Sequence, residues 1–219
     1  MLPFQSALMG FTVNRPISEF TDLFDSDGWT HSGAKTSVGS GTLNFTFNDN
    51  GVSDYAYKDV LSSTVSDTAF LWDFDLNFST LTEGDDNLMH FVMSSTTTDY
   101  NGTQDALGTM FYYRAAGHNL FASHQDGSFL GTNNTDTTNT YAVSTTYYFR
   151  YIRNTATQGL IKRFTTSART TESDSYTDNN VVSTIQSLRY MKIVDADVTS
   201  GTQIGTIDNV KFYNNRTSI

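Results

Sequence analysis

Residues 68–78, TAFLWDFDLNF, decide the fold class because their apolar and polar side chains alternate. In an extended chain successive side chains point to opposite faces, so every second residue shares a face. One face carries the large apolar side chains of Phe70, Trp72, Phe74, Leu76 and Phe78. The opposite face carries Leu71, Asp73, Asp75 and Asn77. This period of two residues predicts a β-strand with one face in a core and the other in water.

Similar segments recur from Phe24 onward and are separated by turn sequences such as Asp49-Asn50-Gly51 and Asp126-Gly127. The predicted strands are 42–47, 87–94, 107–115, 119–123, 146–153, 159–166, 188–194 and 206–213. Two stretches rich in Thr, Asn, Asp and Ser, 132–146 and 167–180, are predicted to be long surface loops. No helical periodicity exceeds about two turns, so the pattern indicates an all-β sandwich or barrel.

The composition excludes several classes of function. The 219 residues carry 13 Lys and Arg against 23 Asp and Glu, a net charge of −10, which disfavours nucleic acid and anionic membranes. The absence of cysteine excludes disulfides, zinc ribbons, iron–sulfur clusters and thiol nucleophiles. No apolar run is long enough to span a bilayer and no signal-peptide pattern is present, so we expect a chain that is soluble or exported by another route.

Residues 1–20 differ in composition from the rest of the chain. They are apolar and hold both prolines, Pro3 and Pro16. One interpretation is an attachment arm that docks onto a partner or a neighbouring subunit, and the other is a first edge strand lying over the sandwich. The domain prediction is therefore an arm or attachment segment over 1–20 and one β-sandwich domain over 21–219.

Four pieces of sequence, in this order and spacing, resemble the concanavalin A-like lectin and glucanase superfamily, in its laminin-G and pentraxin style. They are FDSDGWTHSG (24–33) with GSGTLNFTF (39–47), then TAFLWDFDLNF (68–78), TYYFRYIRNTATQGLIKRF (146–164), and LRYMKIV (188–194) with GTQIGTIDNVKFYN (201–214). The resemblance implies an antiparallel two-sheet β-sandwich, or jelly roll. It also implies a concave side of the kind that often binds glycans.

The resemblance further implies a structural calcium ion. Many relatives carry an aspartate in a closing strand like IDNVKFY, and the matching position here is Asp208. Co-ligands would come from the segment 20–28, where Asp22, Asp25 and Asp27 are the candidates, together with backbone carbonyls. The alternative is that Asp208 caps a turn before a strand.

Catalysis of the glucanase type is not expected. Those enzymes place two glutamates around an aspartate on one strand, whereas the three glutamates here, Glu19, Glu83 and Glu172, are far apart. Asp73 and Asp75 share a strand face, about 6.5–7 Å apart. They would suit an inverting hydrolase, a cation or ligand contact, or simply a solvated face. We therefore predict that the protein is not an enzyme.

Aromatic side chains near polar groups are the candidates for glycan contact, because sugars stack on rings and hydrogen-bond to carboxylates and amides. The alternate faces of the strands offer Tyr55 and Tyr57, Tyr112 with Arg114, and Tyr148 with Arg150, and Tyr151 is a further possibility. The predicted carbohydrate-binding set is Tyr112, Arg114, Tyr148, Asp73 and Asp75.

The functional prediction is a non-catalytic jelly-roll protein displayed on a surface, as a virion decoration, fibre or adhesin component with glycan-binding capacity. Its expected partners are a glycan and other virion or surface proteins bound through residues 1–20. We expect an oligomer on a virion surface or outside the cell. The alternative is a calcium-stabilised carbohydrate-binding module of an exported polysaccharide-degrading system, and a third hypothesis is a divergent glycoside hydrolase.

Overall fold

A computed structural model describes residues 20–48, 54–60, 65–82, 87–98, 104–114, 117–127, 129–132, 141–197 and 201–219. These residues form fifteen β-strands and no helix. The strands are β1 (Phe20–Asp22), β2 (Thr30–Ser32), β3 (Thr36–Gly39), β4 (Thr42–Phe47), β5 (Tyr55–Asp59), β6 (Phe70–Thr82), β7 (Asn87–Ser94), β8 (Ala106–Arg114), β9 (Gly117–Asp126), β10 (Phe129–Thr132), β11 (Thr146–Thr155), β12 (Gln158–Phe164), β13 (Glu172–Asp178), β14 (Tyr190–Asp197) and β15 (Thr202–Asn214). The described residues hold no helix with the length and apolar character that a membrane span needs.

The strands form two antiparallel sheets. The eight-stranded sheet has the order β13-β12-β11-β6-β15-β4-β3, with β1 paired to β15. The seven-stranded sheet has the order β10-β9-β8-β7-β14-β5-β2. The predicted antiparallel two-sheet β-sandwich is confirmed. The strand β6 lies at the centre of the eight-stranded sheet, between β11 and β15.

The core lies between the two sheets and is largely aromatic. On β6, Trp72 stacks on Tyr151 of β11 with ring centroids 4.4 Å apart. Phe74 meets Phe91 of the opposite sheet edge to face at 4.9 Å. Burying each such ring contributes about 1.5–3 kcal/mol, so this face of β6 supplies much of the sandwich's stability. Because Tyr151 is fully buried here, the possibility that it contacts a ligand is wrong.

The segment 167–180 is not one long loop, because it contains β13 at the edge of the eight-stranded sheet. Its sequence ESDSYTD has few apolar residues because an edge strand needs few; Tyr176 is its buried ring. In the other predicted loop, Tyr141 is buried in the core, while 133–140 lie outside the described residues. Residues 1–19 of the predicted arm also lie outside them, and Phe20 already pairs with Phe212.

His90 on β7 gives the fold a defined response to acid. Burial lowers the pKa of its imidazole from 6.5 to about 3, so the folded protein keeps the ring neutral. The unfolded chain binds a proton below pH 6.5 and the folded one does not, so stability is lost as the pH falls from 6.5 towards 3. Each pH unit costs about 1.4 kcal/mol, which predicts a loss of about 2 kcal/mol at pH 5.

The free energy of unfolding at pH 7 and pH 5, measured with denaturant for the wild type and His90→Gln, checks this expectation. The glutamine does not titrate, so the wild type is expected to lose about 2 kcal/mol more than the variant. Equal losses would contradict the assignment of the acid response to His90.

Candidate functional site

The outer face of the eight-stranded sheet, which points away from the seven-stranded sheet, is not fully exposed to solvent. Asp73 and Asp75 on β6 are only 4% and 6% exposed, although the alternation predicted a solvated face. Arginine side chains lie over both carboxylates and remove them from water. A buried carboxylate is stable only with a compensating charge or hydrogen bonds, and the two aspartates obtain theirs from different residues.

Asp73 is paired with Arg150, its direct cross-strand neighbour on β11. Arg150 Nε donates to Asp73 Oδ1 at 2.7 Å, and its second nitrogen, Nη2, donates to Oδ2 at 2.9 Å. This two-bond geometry is the strongest form of an arginine–carboxylate pair. Both oxygens of Asp73 therefore accept hydrogen bonds from within the sheet.

Asp75 is paired with Arg169, which comes from the turn between β12 and β13. Arg169 donates from Nη2 to Asp75 Oδ1, from Nε to the carbonyl of Phe149 at 3.1 Å, and from Nη1 to the carbonyl of Ser167 at 3.0 Å. Its guanidinium carbon lies 5.9 Å from the ring centroid of Tyr148. With φ at 52°, Arg169 adopts the left-handed conformation that costs a non-glycine residue energy. These contacts fix the turn against the sheet.

Asn209 joins Asp75 to Asp208, its cross-strand neighbour on β15. The Asn209 amide Nδ2 donates to Asp75 Oδ2 at 2.8 Å and to Asp208 Oδ2 at 3.3 Å, and its backbone N donates to Asp208 Oδ1 at 2.6 Å. Asn209 sits in a β-bulge with φ at 51°, a conformation that asparagine tolerates well. Burial raises the pKa of Asp75, although Arg169 and Asn209 act in the opposite direction.

These residues form part of a groove of about 410 Å³ on the outer face. Its lining consists almost entirely of hydroxyl, amide and carboxylate side chains, with one aromatic ring: Thr42, Asp75, Leu76, Asn77, Thr146, Tyr148, Ser167, Thr206, Asp208 and Asn209. Such a surface offers many hydrogen-bond donors and acceptors beside one aromatic ring. It suits a ligand that is itself rich in hydroxyl groups.

The structure places the residues of the predicted carbohydrate-binding set on different surfaces. Asp75 and Tyr148 line the groove, and Asp73 lies beside it under Arg150. Tyr112 follows the core residue Phe111 on β8, so it faces outward from the seven-stranded sheet. The side chain of Arg114 lies outside the described residues. The set therefore does not converge on one surface.

The predicted calcium ligands do not converge either. Asp22 pairs with Val210 and faces the core side, where its carboxylate accepts bonds from Lys58 Nζ at 2.7 Å and Trp29 Nε1 at 2.9 Å. Asp208 faces the groove on the other side of the sheet, and Asp25 is exposed. Within the described ranges, no three acidic or histidine side chains are grouped for a metal ion. Asp22 and Asp208 thus do not fit one ion, and calcium stays a prediction.

Comparison with known proteins identifies the fold. No protein-family model and no curated protein matches the sequence. The CBM2 module of the evolved Dit of Lactobacillus casei BL23 phage J-1 has a similar structure, with a TM-score of 0.55 and 8% identity over 93% of this chain and 98% of that one. The Emp47p carbohydrate recognition domain gives 0.54 and 11%, over 90% and 96%.

A glycosyl hydrolase family protein from Mycobacterium fortuitum is also similar, with a TM-score of 0.51 and 13% identity over 90% of this chain and 99% of that one. A carbohydrate recognition domain and a glycosyl hydrolase thus share this architecture, so the fold alone does not distinguish a binding protein from an enzyme. These structures confirm the fold that the four sequence motifs implied: the chain is an antiparallel two-sheet jelly roll.

Proposed function

We propose that the protein is a non-catalytic glycan-binding domain whose ligand lies in the groove between β6, β11 and β15. The observation that carries this proposal is the lining of the groove. Threonine and serine hydroxyls, the amides of Asn77 and Asn209 and the carboxylates of Asp75 and Asp208 surround the single ring of Tyr148. Sugars are bound by this combination, in which hydroxyls pair with polar groups and a C–H face packs on a ring.

The state of the carboxylates supports binding rather than hydrolysis. An inverting glycosidase needs one carboxyl group to protonate the leaving oxygen and another to activate water. Both oxygens of Asp73 accept hydrogen bonds from Arg150, and the oxygens of Asp75 accept from Arg169 and Asn209. Glu172 lies on β13 in an ion pair with Lys162, while Glu19 and Glu83 lie outside the described residues.

Display on a virion or another surface is the second part of the proposal. The phage module named above shares this fold over almost the full length of both chains, which supports a role in a phage particle. In this proposal residues 1–20 attach the domain to other virion or surface proteins, the protein forms an oligomer, and the groove meets a glycan outside the cell. A calcium-stabilised module of a polysaccharide-degrading system remains the alternative.

A glycan array with the wild type, Tyr148→Ala and Tyr190→Ala tests the binding site. We expect the wild type to bind at least one class of glycan and Tyr148→Ala to bind it about tenfold more weakly, because one aromatic contact contributes about 1.4 kcal/mol. Tyr190 lies on the seven-stranded sheet against Tyr57, so Tyr190→Ala is the matched control and should bind like the wild type. Absence of wild-type binding, or equal effects of the two variants, would contradict the proposal.

A further inference from the structure

The carboxylates around the groove are not equally compensated. Asp73, Asp75 and Asp208 lie on the outer face of β6 and β15, and the cations nearest to them are Arg150, Arg169 and Lys211, which pairs with Asp73 across the strands. Arg150 is bonded to Asp73 and Arg169 to Asp75. The third carboxylate, Asp208, has no ion pair within the described ranges, and Lys211 is not among the residues that line the groove.

Asp208 obtains hydrogen bonds but no counter-charge. Both of its oxygens accept from Asn209, through the backbone N at 2.6 Å and the side-chain amide at 3.3 Å. No ion pair joins it to any lysine, arginine or histidine of the described ranges. Asn209 is uncharged, so it holds the carboxylate in place without neutralising it.

The groove also has no positive charge among its lining residues to attract an anion. No lysine, arginine or histidine occurs among its lining residues, all of which belong to the described part of the chain. Arg169 is next to the groove, but its side chain is 6% exposed and bonded to Asp75. A negatively charged group placed in the groove would therefore meet the field of Asp208, which no ion pair compensates, and no cation among the lining residues.

We propose that the groove selects glycans whose sugar at this position carries no anionic group, and that Asp208 is the specificity-determining residue. This inference rests on the proposed function, because it names the class of glycan that the same groove takes. Neutral hexoses and amino sugars are accepted, whereas uronates, sialic acids and sulfated sugars are rejected. A single uncompensated charge a few ångströms away in a partly solvated site is expected to change affinity by about tenfold.

Matched pairs of probes test the proposal: glucose against glucuronate oligomers, galactose against galacturonate oligomers, and lactose against sialyllactose. The wild type is expected to bind the neutral member of at least one pair at least tenfold more tightly, and Asp208→Asn to reduce that ratio about tenfold. Asp59→Asn is the control, because it makes the same change in net charge at an exposed ion pair on the seven-stranded sheet. It should leave the ratio unchanged.

A second measurement does not depend on the variant's stability. Raising the ionic strength should weaken the wild type's discrimination, since salt screens the repulsion. Equal wild-type affinity for both members of a pair, or an Asp208→Asn ratio equal to that of the wild type, overturns this inference and leaves the proposed function standing. Failure of every probe overturns both.

Discussion

Arg169→Met is expected to destabilise the protein by about 3–5 kcal/mol and to abolish glycan binding. Methionine fills much of the same volume but leaves the buried carboxylate of Asp75 without its counter-charge, and breaking such a pair costs this much. The bonds to the carbonyls of Phe149 and Ser167 are lost as well. Ser167 and Tyr148 line the groove, so the loosened turn removes one wall of the binding site.

The pH dependence of this loss distinguishes an electrostatic cause from a packing cause. Burial already raises the pKa of Asp75, and removing Arg169 raises it further because the arginine favours the charged form. A carboxyl group whose pKa is higher in the folded than in the unfolded protein lowers the stability as the pH rises through that pKa. It has no effect at a pH where the group is protonated in both the folded and the unfolded protein. The difference between variant and wild type should therefore shrink from pH 7 to acid pH.

Denaturant titrations of the wild type, Arg169→Met, Asp75→Asn and the double variant provide the measurement and its control. In the double variant no charge is left uncompensated, so the two substitutions should cost less together than the sum of their separate effects. Additive losses, or a loss below about 1 kcal/mol in Arg169→Met, would show that Arg169 does not hold Asp75 as described.

Asp178→Ala is expected to destabilise the fold by a similar amount through a different contact. His124 Nδ1 on β9 lies 2.5 Å from Asp178 Oδ2 at the end of β13, so this pair links the seven-stranded sheet to the edge of the eight-stranded one. Both side chains are almost completely buried. Leaving one polar partner buried alone costs about 3–5 kcal/mol, which lowers the melting temperature by roughly 10 °C in a protein of this size.

Thermal unfolding of Asp178→Ala and of the double variant His124→Phe/Asp178→Leu checks this expectation. Replacing both partners by apolar side chains leaves no buried polar group without a partner, so the double variant should recover part of the lost stability. A melting temperature of Asp178→Ala within a few degrees of the wild type would exclude a stabilising role for the pair.

The sequence was sufficient to predict strands and their buried faces wherever burial follows the local alternation of apolar and polar residues. The face of β6 from Phe70 to Phe78 is in the core as its period of two residues predicts, and 42–47 forms β4 with the predicted bounds. The polar segment of β13 was missed because edge strands bury too few side chains to show the pattern. Strands are thus predictable from sequence to the extent that one of their faces is apolar.

The composition of the site could not be predicted in the same way, because it depends on contacts between distant residues. Arg169 contacts Asp75 from a turn 94 positions away, and no feature of the sequence 165–171 predicts that contact. Tyr112 and Tyr148 have similar local sequences, yet the topology places them on different sheets. The signal available in the sequence was the IDN triplet at 207–209, whose Asn209 supplies the amide that joins Asp75 to Asp208.

Amide chemical-shift mapping shows whether the glycan binds to the outer face of the eight-stranded sheet. The isotope-labelled protein is titrated with the glycan that gives the strongest array signal. We predict that the shifted amides cluster around the groove, at Asn77, Thr146, Thr206 and Asn209. Shifts concentrated instead around Tyr57 and Tyr190 would place the glycan on the seven-stranded sheet and contradict binding in the groove.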